Sequence, residues 1–321
     1  MSNFHLFNSL NRRIDRLPLL RDRLWSLEGS LLDRAWRALG RGGPDVASDR
    51  GARLGRQLGM RTRKNRHVLF NLRMAFPHWS RQQVEATAPR IWSSVGRTLM
   101  EYSCLGQICD PRQDRIHVVD LGGLAHVRAS GRPGIFVAPH LANWNLFPVA
   151  AARAGIPLTV VYRRQSNPAI ESLMADWRAA LGCGFLEVGE ASRGMLRELR
   201  AGRSVGLLMD QRYDRGAEVP FFGIPAVTTM VPARLALRLG VPLVPARIER
   251  RDGARFVITV YRPLEIEAGR DEESAALALT TRINELFASW IETAPDQWLC
   301  VKRRWDRPYV VLPGGWRVRA A

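Results

Sequence analysis

Between residues 20 and 39 the chain sets Leu20, Leu24, Leu27, Leu31, Ala35 and Leu39 three or four positions apart, which puts them on one helical face. Trp25 and Trp36 flank that stripe, while Arg21, Arg23, Arg34 and Arg37 lie off it. A cationic amphipathic helix follows, suited either to lying in a headgroup layer or to packing on the body of the protein. Residues 41–52, with Gly-Gly-Pro-Asp and Ser-Asp-Arg-Gly, predict a linker. From 53 to 106 the pattern is helical, with a break at Phe76-Pro77. Ser80 is placed to cap a helix through Val84, Ile91, Val95 and Leu99. From 115 onward short apolar runs alternate with helical ones. Strands are predicted at Ile116–Val119, Gly134–Ala138, Leu158–Tyr162, 185–188, Val205–Met209, Leu243–Arg250 and Arg255–Tyr261. Helices are predicted at 143–154, 168–181, 191–201, 229–239 and 272–293, and Asp252-Gly253 as a hairpin turn. Such alternation predicts an α/β fold, αβα layered, with a mainly parallel sheet and an antiparallel edge hairpin, preceded by N-terminal helices. The expected organisation is an amphipathic basic segment and linker over 1–52, then one domain over 53–321. That domain divides into a helical part at 53–106, an α/β core at 115–293 and an irregular tail at 295–321.

Charge changes this picture. Forty-eight Lys and Arg against 30 Asp and Glu leave a net charge of +18. A field of that sign attracts nucleic acid, an anionic bilayer, an acidic carrier protein or a phosphorylated substrate. A genome rich in G and C would raise Arg content without any partner. Cys104, Cys109, Cys183 and Cys300 form no CxxC pair and have no His at zinc spacing, so a reduced chain without structural metal is expected. No run of 18 apolar residues and no signal-peptide core occurs, which predicts peripheral membrane contact on the cytoplasmic side.

Ligands of parallel α/β sheets bind beyond the carboxyl ends of the strands. Three predicted strand ends are unusually polar: Ala-Pro-His140-Leu-Ala-Asn143-Trp144-Asn145, Tyr162-Arg163-Arg164 and Asp210-Gln211-Arg212. A His, one or two Arg and an Asp on one rim are equipment for proton transfer beside an anionic substrate. His140 is the one histidine at a strand-to-helix turn, and amides of the helix predicted from 143 could face a phosphate or an oxyanion. Two other signals are set aside. Gly202-Arg203-Ser204-Val205-Gly206 matches a nucleophile elbow, but with helix before and strand after, the reverse of what an elbow needs. Arg61, Arg63, Lys64 and Arg66 read as a solvated helix face, and no aromatic-interleaved RNA module or P-loop accompanies them, so nucleic acid is not an expected partner.

His140–Asn145 resembles the His-x-x-x-x-Asp/Glu block of the lysophospholipid acyltransferase superfamily. It most resembles the bacterial lipid A late acyltransferases (lauroyl and myristoyl transferases), whose block reads His-x-x-Asn-Trp-Glu. The similarity extends from about 60 to 308. It takes in Asn71–Pro77, Gly96-Arg97 with Glu101, Tyr162-Arg163 with Asn167-Pro168, and Asp210-Gln211 with Val219–Gly223. Pro225, Ala233–Ala236, Val244-Pro245, Gln297–Leu299 and Arg303–Trp305 follow in the family's order. The resemblance implies an acyl carrier protein thioester as donor, with no other cofactor and no metal. It implies a membrane glycolipid or phospholipid hydroxyl as acceptor, a lipid A precursor foremost, at the cytoplasmic face of the inner membrane. It makes His140 the general base, with Asp210 and position 145 as its expected catalytic companions, and sends Arg163 to the substrate's anionic groups. Arg164, Gln211, Arg212, Asn143 and Trp144, inside or beside the matching blocks, complete the expected substrate-binding set. This chain departs from the pattern at three places. Asn145 stands where the family has an acid, an amphipathic segment at 17–39 stands where the branch has a membrane span, and Cys300 and Lys302 stand where it tends to have Trp and His. An uncharged residue at 145 leaves three readings: Asp210 takes over, the enzyme is slow, or the chain is a non-catalytic lipid-binding or scaffolding relative.

Overall fold

A computed structural model of the chain describes residues 18–265 and 271–306, with backbone alone at 309–311 and 317–319. The first 17 residues of the predicted N-terminal segment lie outside the described residues. Four helices come first: α1 (Pro18–Gly40), α2 (Pro44–Gly59), α3 (Asn65–Ala75) and α4 (Arg81–Glu101). Ser80 caps α4 through a reciprocal pair, its Oγ accepting from the Gln83 amide at 3.2 Å and its own amide donating to Gln83 Oε1 at 2.7 Å.

The predicted linker is a helix from residue 44 on. Pro44 presets the first turn and Asp45 complements its free amides. Gly51, Gly55 and Gly59 recur every four residues and lie on α4. A Cβ at Gly51 would fall on the Gly96 carbonyl, one at Gly55 on the Trp92 carbonyl and one at Gly59 on the Trp92 ring. These glycines bring two helices to backbone contact, as small-residue seams do, and are not marks of a flexible segment.

Helix α1 docks by a face to one side of its predicted stripe. A Cβ at Gly29 would lie 2.6 Å from Ala169 Cβ, and Asn167 Nδ2 donates to Glu28 Oε2 at 2.9 Å and to the Trp25 carbonyl at 3.1 Å. Trp36 is buried and donates to the Leu99 carbonyl at 2.9 Å. Of the stripe, Leu20, Leu27 and Leu31 are 47, 55 and 48% exposed while Leu24 and Leu39 are half-buried, and Leu19 beside it is 83% exposed.

After the short α5 (Leu105–Cys109) the chain alternates as expected, through β1 (Ile116–Asp120), α6 (Gly123–Ser130), β2 (Ile135–Ala138), α7 (Pro148–Arg153), β3 (Leu158–Tyr162), α8 (Pro168–Arg178), β4 (Gly184–Glu187), α9 (Ala191–Arg200) and β5 (Ser204–Leu208). A separate hairpin, β6 (Ala217–Phe221) and β7 (Ile224–Thr228), precedes α10 (Val231–Leu239), β8 (Leu243–Arg250), β9 (Phe256–Val260) and α11 (Glu272–Thr293). The hairpin turns at Phe222 (φ 53°) and Gly223 (φ 70°), both left-handed as a two-residue hairpin requires. Two short paired strands, β10 (Tyr309–Val311) and β11 (Arg317–Arg319), occupy part of the tail expected to be irregular.

The main sheet has seven strands in the order β1-β9-β8-β2-β5-β3-β4. From β8 to β4 the neighbours are parallel, and β9 turns back on β8 through Asp252-Gly253. The hairpin strand β9 is one strand in from the rim, because β1 pairs along its outer side from Ile116↔Phe256 to Asp120↔Val260. Alternation splits the core between the two faces. Ile135 and Val137 of β2 pack with α3, α4 and α9–α11, whereas Phe136 and Ala138 pack with α5–α8.

Candidate active site

The site begins where two parallel strands part. Strands β2 and β5 stay paired to Ala138↔Leu208. Pairing of β3 with β5 stops at Val160↔Gly206, while β3 remains joined to β4 as far as Tyr162↔Glu187. Val161 and Tyr162 therefore diverge from Leu207 and Leu208, and a cavity of about 260 Å³ opens in the gap. Val160, Val161, Leu207, Phe147 and Met195 give it apolar walls, and exposed Arg163, Arg212 and Tyr213 mark its opening. Gly206 is needed here for space, since a Cβ would come 2.6 Å from the Phe147 ring.

His140 lines this cavity from the end of β2. Its Nδ1 lies 2.6 Å from Asp210 Oδ1, and the same oxygen accepts from the His140 backbone amide at 2.9 Å. Trp298 Nε1 donates to the other oxygen, Oδ2, at 2.9 Å. Asp210 is 2% exposed. Burial opposes its charge, but the charge of and bonds from His140, with the Trp298 bond, outweigh that and hold the carboxyl below its ordinary value. An ionised Asp210 accepting at Nδ1–H leaves Nε2 with a free lone pair, the nitrogen available to a substrate in the cavity.

The helix expected from 143 is absent at that point. Ala142 takes φ 48°, Ala142 N donates to the Gln297 carbonyl at 2.9 Å, and Leu299 N donates to the His140 carbonyl at 2.9 Å. The turn after β2 is thus pinned to the 297–299 segment. Only a 3-10 turn at Trp144–Leu146 precedes α7, whose first residue is Pro148.

Asn145 lines the cavity but does not face Asp210's task. Its Oδ1 accepts from Tyr102 OH at 2.6 Å, and its Nδ2 donates to Asn143 Oδ1 at 3.0 Å. Asn143, fully buried, donates to Glu101 Oε2 at 2.9 Å, and Glu101 in turn takes both Arg250 nitrogens, at 2.5 and 2.9 Å, and Ser48 Oγ at 2.7 Å. On the other side of Tyr102 lies Arg178, which pairs with Glu171 at 3.1 Å and stacks over Tyr162 at 4.9 Å. Burial is the main reason Tyr102 keeps its proton, its pKa being raised.

Of the remaining expected residues, Trp144 packs its ring 5.4 Å from His140, and Arg163 and Gln211 line the cavity. Arg212 also lines it, but its guanidinium pairs with Asp214 at 2.8 Å and with Asp306. Arg164 is exposed and lies outside the lining. Sequence reasoning missed Tyr102, Arg178, Arg250 and Lys302 as members of the site. Helical periodicity marks Tyr102 and Arg178 only as positions on α-helical runs, so nothing local distinguishes them. Among the described residues no group of three or more His, Cys, Asp or Glu could hold a metal, and the four cysteines are unpaired thiols.

Comparison with known proteins places these residues in a wider context. A family model described as bacterial lipid A biosynthesis acyltransferase matches residues 25–307. A lipid A biosynthesis acyltransferase of Haemophilus influenzae is 25% identical over 78% of this chain and 78% of its own length. A lipid A biosynthesis lauroyltransferase of Escherichia coli is 27% identical over 77% of this chain and 81% of its own. A phosphatidylinositol mannoside acyltransferase of Mycobacterium tuberculosis is 27% identical over 58% of this chain, and the match spans 59% of that relative's length. Among solved structures, a 1-acyl-sn-glycerophosphate acyltransferase of Thermotoga maritima aligns with a TM-score of 0.37 at 13% identity, over 73% of this chain and 96% of that one.

Proposed function

Because the chain belongs to the bacterial lipid A biosynthesis acyltransferase family, we propose that it moves a fatty acyl chain from an acyl carrier protein thioester to a hydroxyl of a membrane glycolipid or phospholipid, a lipid A precursor foremost. The observation that carries this reading is the buried Asp210 bonded to Nδ1 of His140 on the wall of a partly apolar cavity. Through Nε2, His140 takes the acceptor's proton as its oxygen attacks the thioester carbonyl. The carbon–sulfur bond breaks, and the imidazolium returns that proton to the departing sulfur. Asp210 fixes the tautomer and stabilises the imidazolium. The acid that the family has at position 145 is supplied from β5's end instead, so Asn145 does not remove the base's counter-charge. This favours an enzyme over a silent lipid-binding relative. Arg163 holds the substrate's anionic group at the opening.

Among the described residues no helix is long and apolar enough to cross a membrane. Four exposed leucines on α1, with Arg23 and Arg34 beside them, support a peripheral placement on an anionic bilayer. An acidic carrier steered by the chain's positive charge would reach the site from the cytoplasmic face. His140→Ala is expected to abolish transfer from carrier thioester to lipid acceptor in a reconstituted assay read by mass spectrometry. Full turnover by that variant would refute the assignment.

A further inference from the structure

Arg163 and Lys302 line the same cavity as His140. No described carboxylate forms an ion pair with either of them, whereas the neighbouring Arg212 is taken by Asp214 and Asp306. Lys302 reaches the cavity because its segment is stapled to α3. Asn71 Nδ2 donates to the carbonyls of Cys300 and Lys302 at 2.8 and 2.6 Å, and Asn71 Oδ1 accepts from the Arg304 amide at 3.1 Å. His67 Nδ1 lies 3.3 Å from the Val301 carbonyl. The same helix carries Lys64 at its N-cap, so the staple also brings Lys64 towards Lys302. Both lysines are partly buried. Burial is the first cause lowering the pKa of each, and the charges of Arg163 and Lys64 lower that of Lys302 further. Arg163 and Lys302 share the cavity wall, and Lys64 lies close enough for its charge to act on Lys302, so an anion placed beside Lys302 is drawn by more than one cation.

We propose that Lys302 and Lys64 join Arg163 as a phosphate-binding cradle beside His140. It takes a phosphate of the acceptor's headgroup or the phosphodiester of the carrier's thioester arm. The cradle assigns a role to part of a basic run that the sequence alone marks as a solvated face, and to a lysine at one of the positions where the chain departs from its relatives. It rests on the acyl-transfer reading for its ligand, but its first test does not need turnover.

That test titrates inorganic phosphate into the wild-type protein and into the Lys64→Gln/Lys302→Gln double variant, by calorimetry at matched ionic strength with chloride as control. Saturable binding by the wild type, weakened about ten- to hundredfold in the double variant, is the expected result. Lys302→Arg should bind as the wild type does, and unchanged thermal midpoints show that folding is intact. Equal binding by both proteins, or none by the wild type, overturns the cradle. The second test compares kinetics with phosphorylated and dephosphorylated acceptors. A rise in KM for the phosphorylated acceptor alone, with kcat held, assigns the lipid headgroup; a rise in KM for the carrier thioester assigns the donor arm. No change in either KM overturns the proposal. Phosphate binding lost in the double variant, in a protein that transfers no acyl chain, keeps the cradle and sinks the enzyme reading instead.

Discussion

Asn145 is held by two neighbours with opposite needs. Tyr102 OH donates to it at 2.6 Å and Asn143 Oδ1 accepts from it at 3.0 Å, a pattern an amide satisfies and a carboxylate does not. An acid at 145 would set its charge against Asn143 Oδ1, since the Asn143 amide is already tied to Glu101. Asn145→Glu is therefore expected to leave kcat unchanged or lower and to cost about 1–3 kcal/mol of stability, measured by chemical unfolding. Asp210→Asn should lower kcat by roughly 10³–10⁴ while the acceptor KM moves little. A tenfold gain in kcat from Asn145→Glu would show that Asp210 is not the acid that counts. His140 and Asp210 are legible in the sequence because strand ends mark them. The compensation at 145 is not, because Tyr102 lies 43 positions away and reaches Asn145 only through the packing of α4 against the turn after β2.

The seven strands of the main sheet were readable, each apolar run falling within a residue or so of its observed ends, whereas β6, β7, β10 and β11 were not expected. One linker reading and one helical reading failed for local reasons. Residues 44–52 carry turn-like Gly and Pro that serve close packing, and the expected helix from 143 loses its first turn to backbone bonds with 297–299. Helix α1 was readable in period, but which way its leucines point depends on what the other face meets. With Leu20, Leu27 and Leu31 already exposed, changing them together to Ser should leave the thermal midpoint within a degree or so and sharply reduce co-flotation with anionic vesicles. Equal flotation would sink the docking face. Helix α9 is tied to the sheet by Glu198, which accepts from Thr159 Oγ1 at 2.8 Å and from Arg203 Nε at 2.7 Å. The Arg203 bond chiefly, against a burial effect of opposite sign, brings the Glu198 carboxyl down from 4.5 to about 2. A depressed carboxyl contributes stability above its unfolded value and loses it as pH falls. Stability should thus decline from about pH 4.5 towards 2, and Glu198→Gln should flatten that part of a pH series of urea midpoints. An unchanged slope would show that the pair does not couple to folding.

At the scale of the molecule, a net charge of +18 is a long-range field that no single contact expresses. The KM for a carrier protein thioester should rise steeply between about 50 and 200 mM salt, while that for a small uncharged acyl thioester stays nearly flat. Parallel salt dependences would remove steering as the cause. A layered parallel sheet was legible from the alternation of runs. The seating of β1 outside β9 was not, because strand order is fixed by which exposed edge finds a partner, and both strands read alike in period. The glycine seam between α2 and α4 shows what such assembly asks of the least reactive residues. Glu101 and Tyr102 stand at the end of the rod that Gly96 clamps, so the clamp sets where those two side chains arrive. One added methyl there would lever them out of place, and damage to the chemistry could begin at a residue with no chemistry of its own.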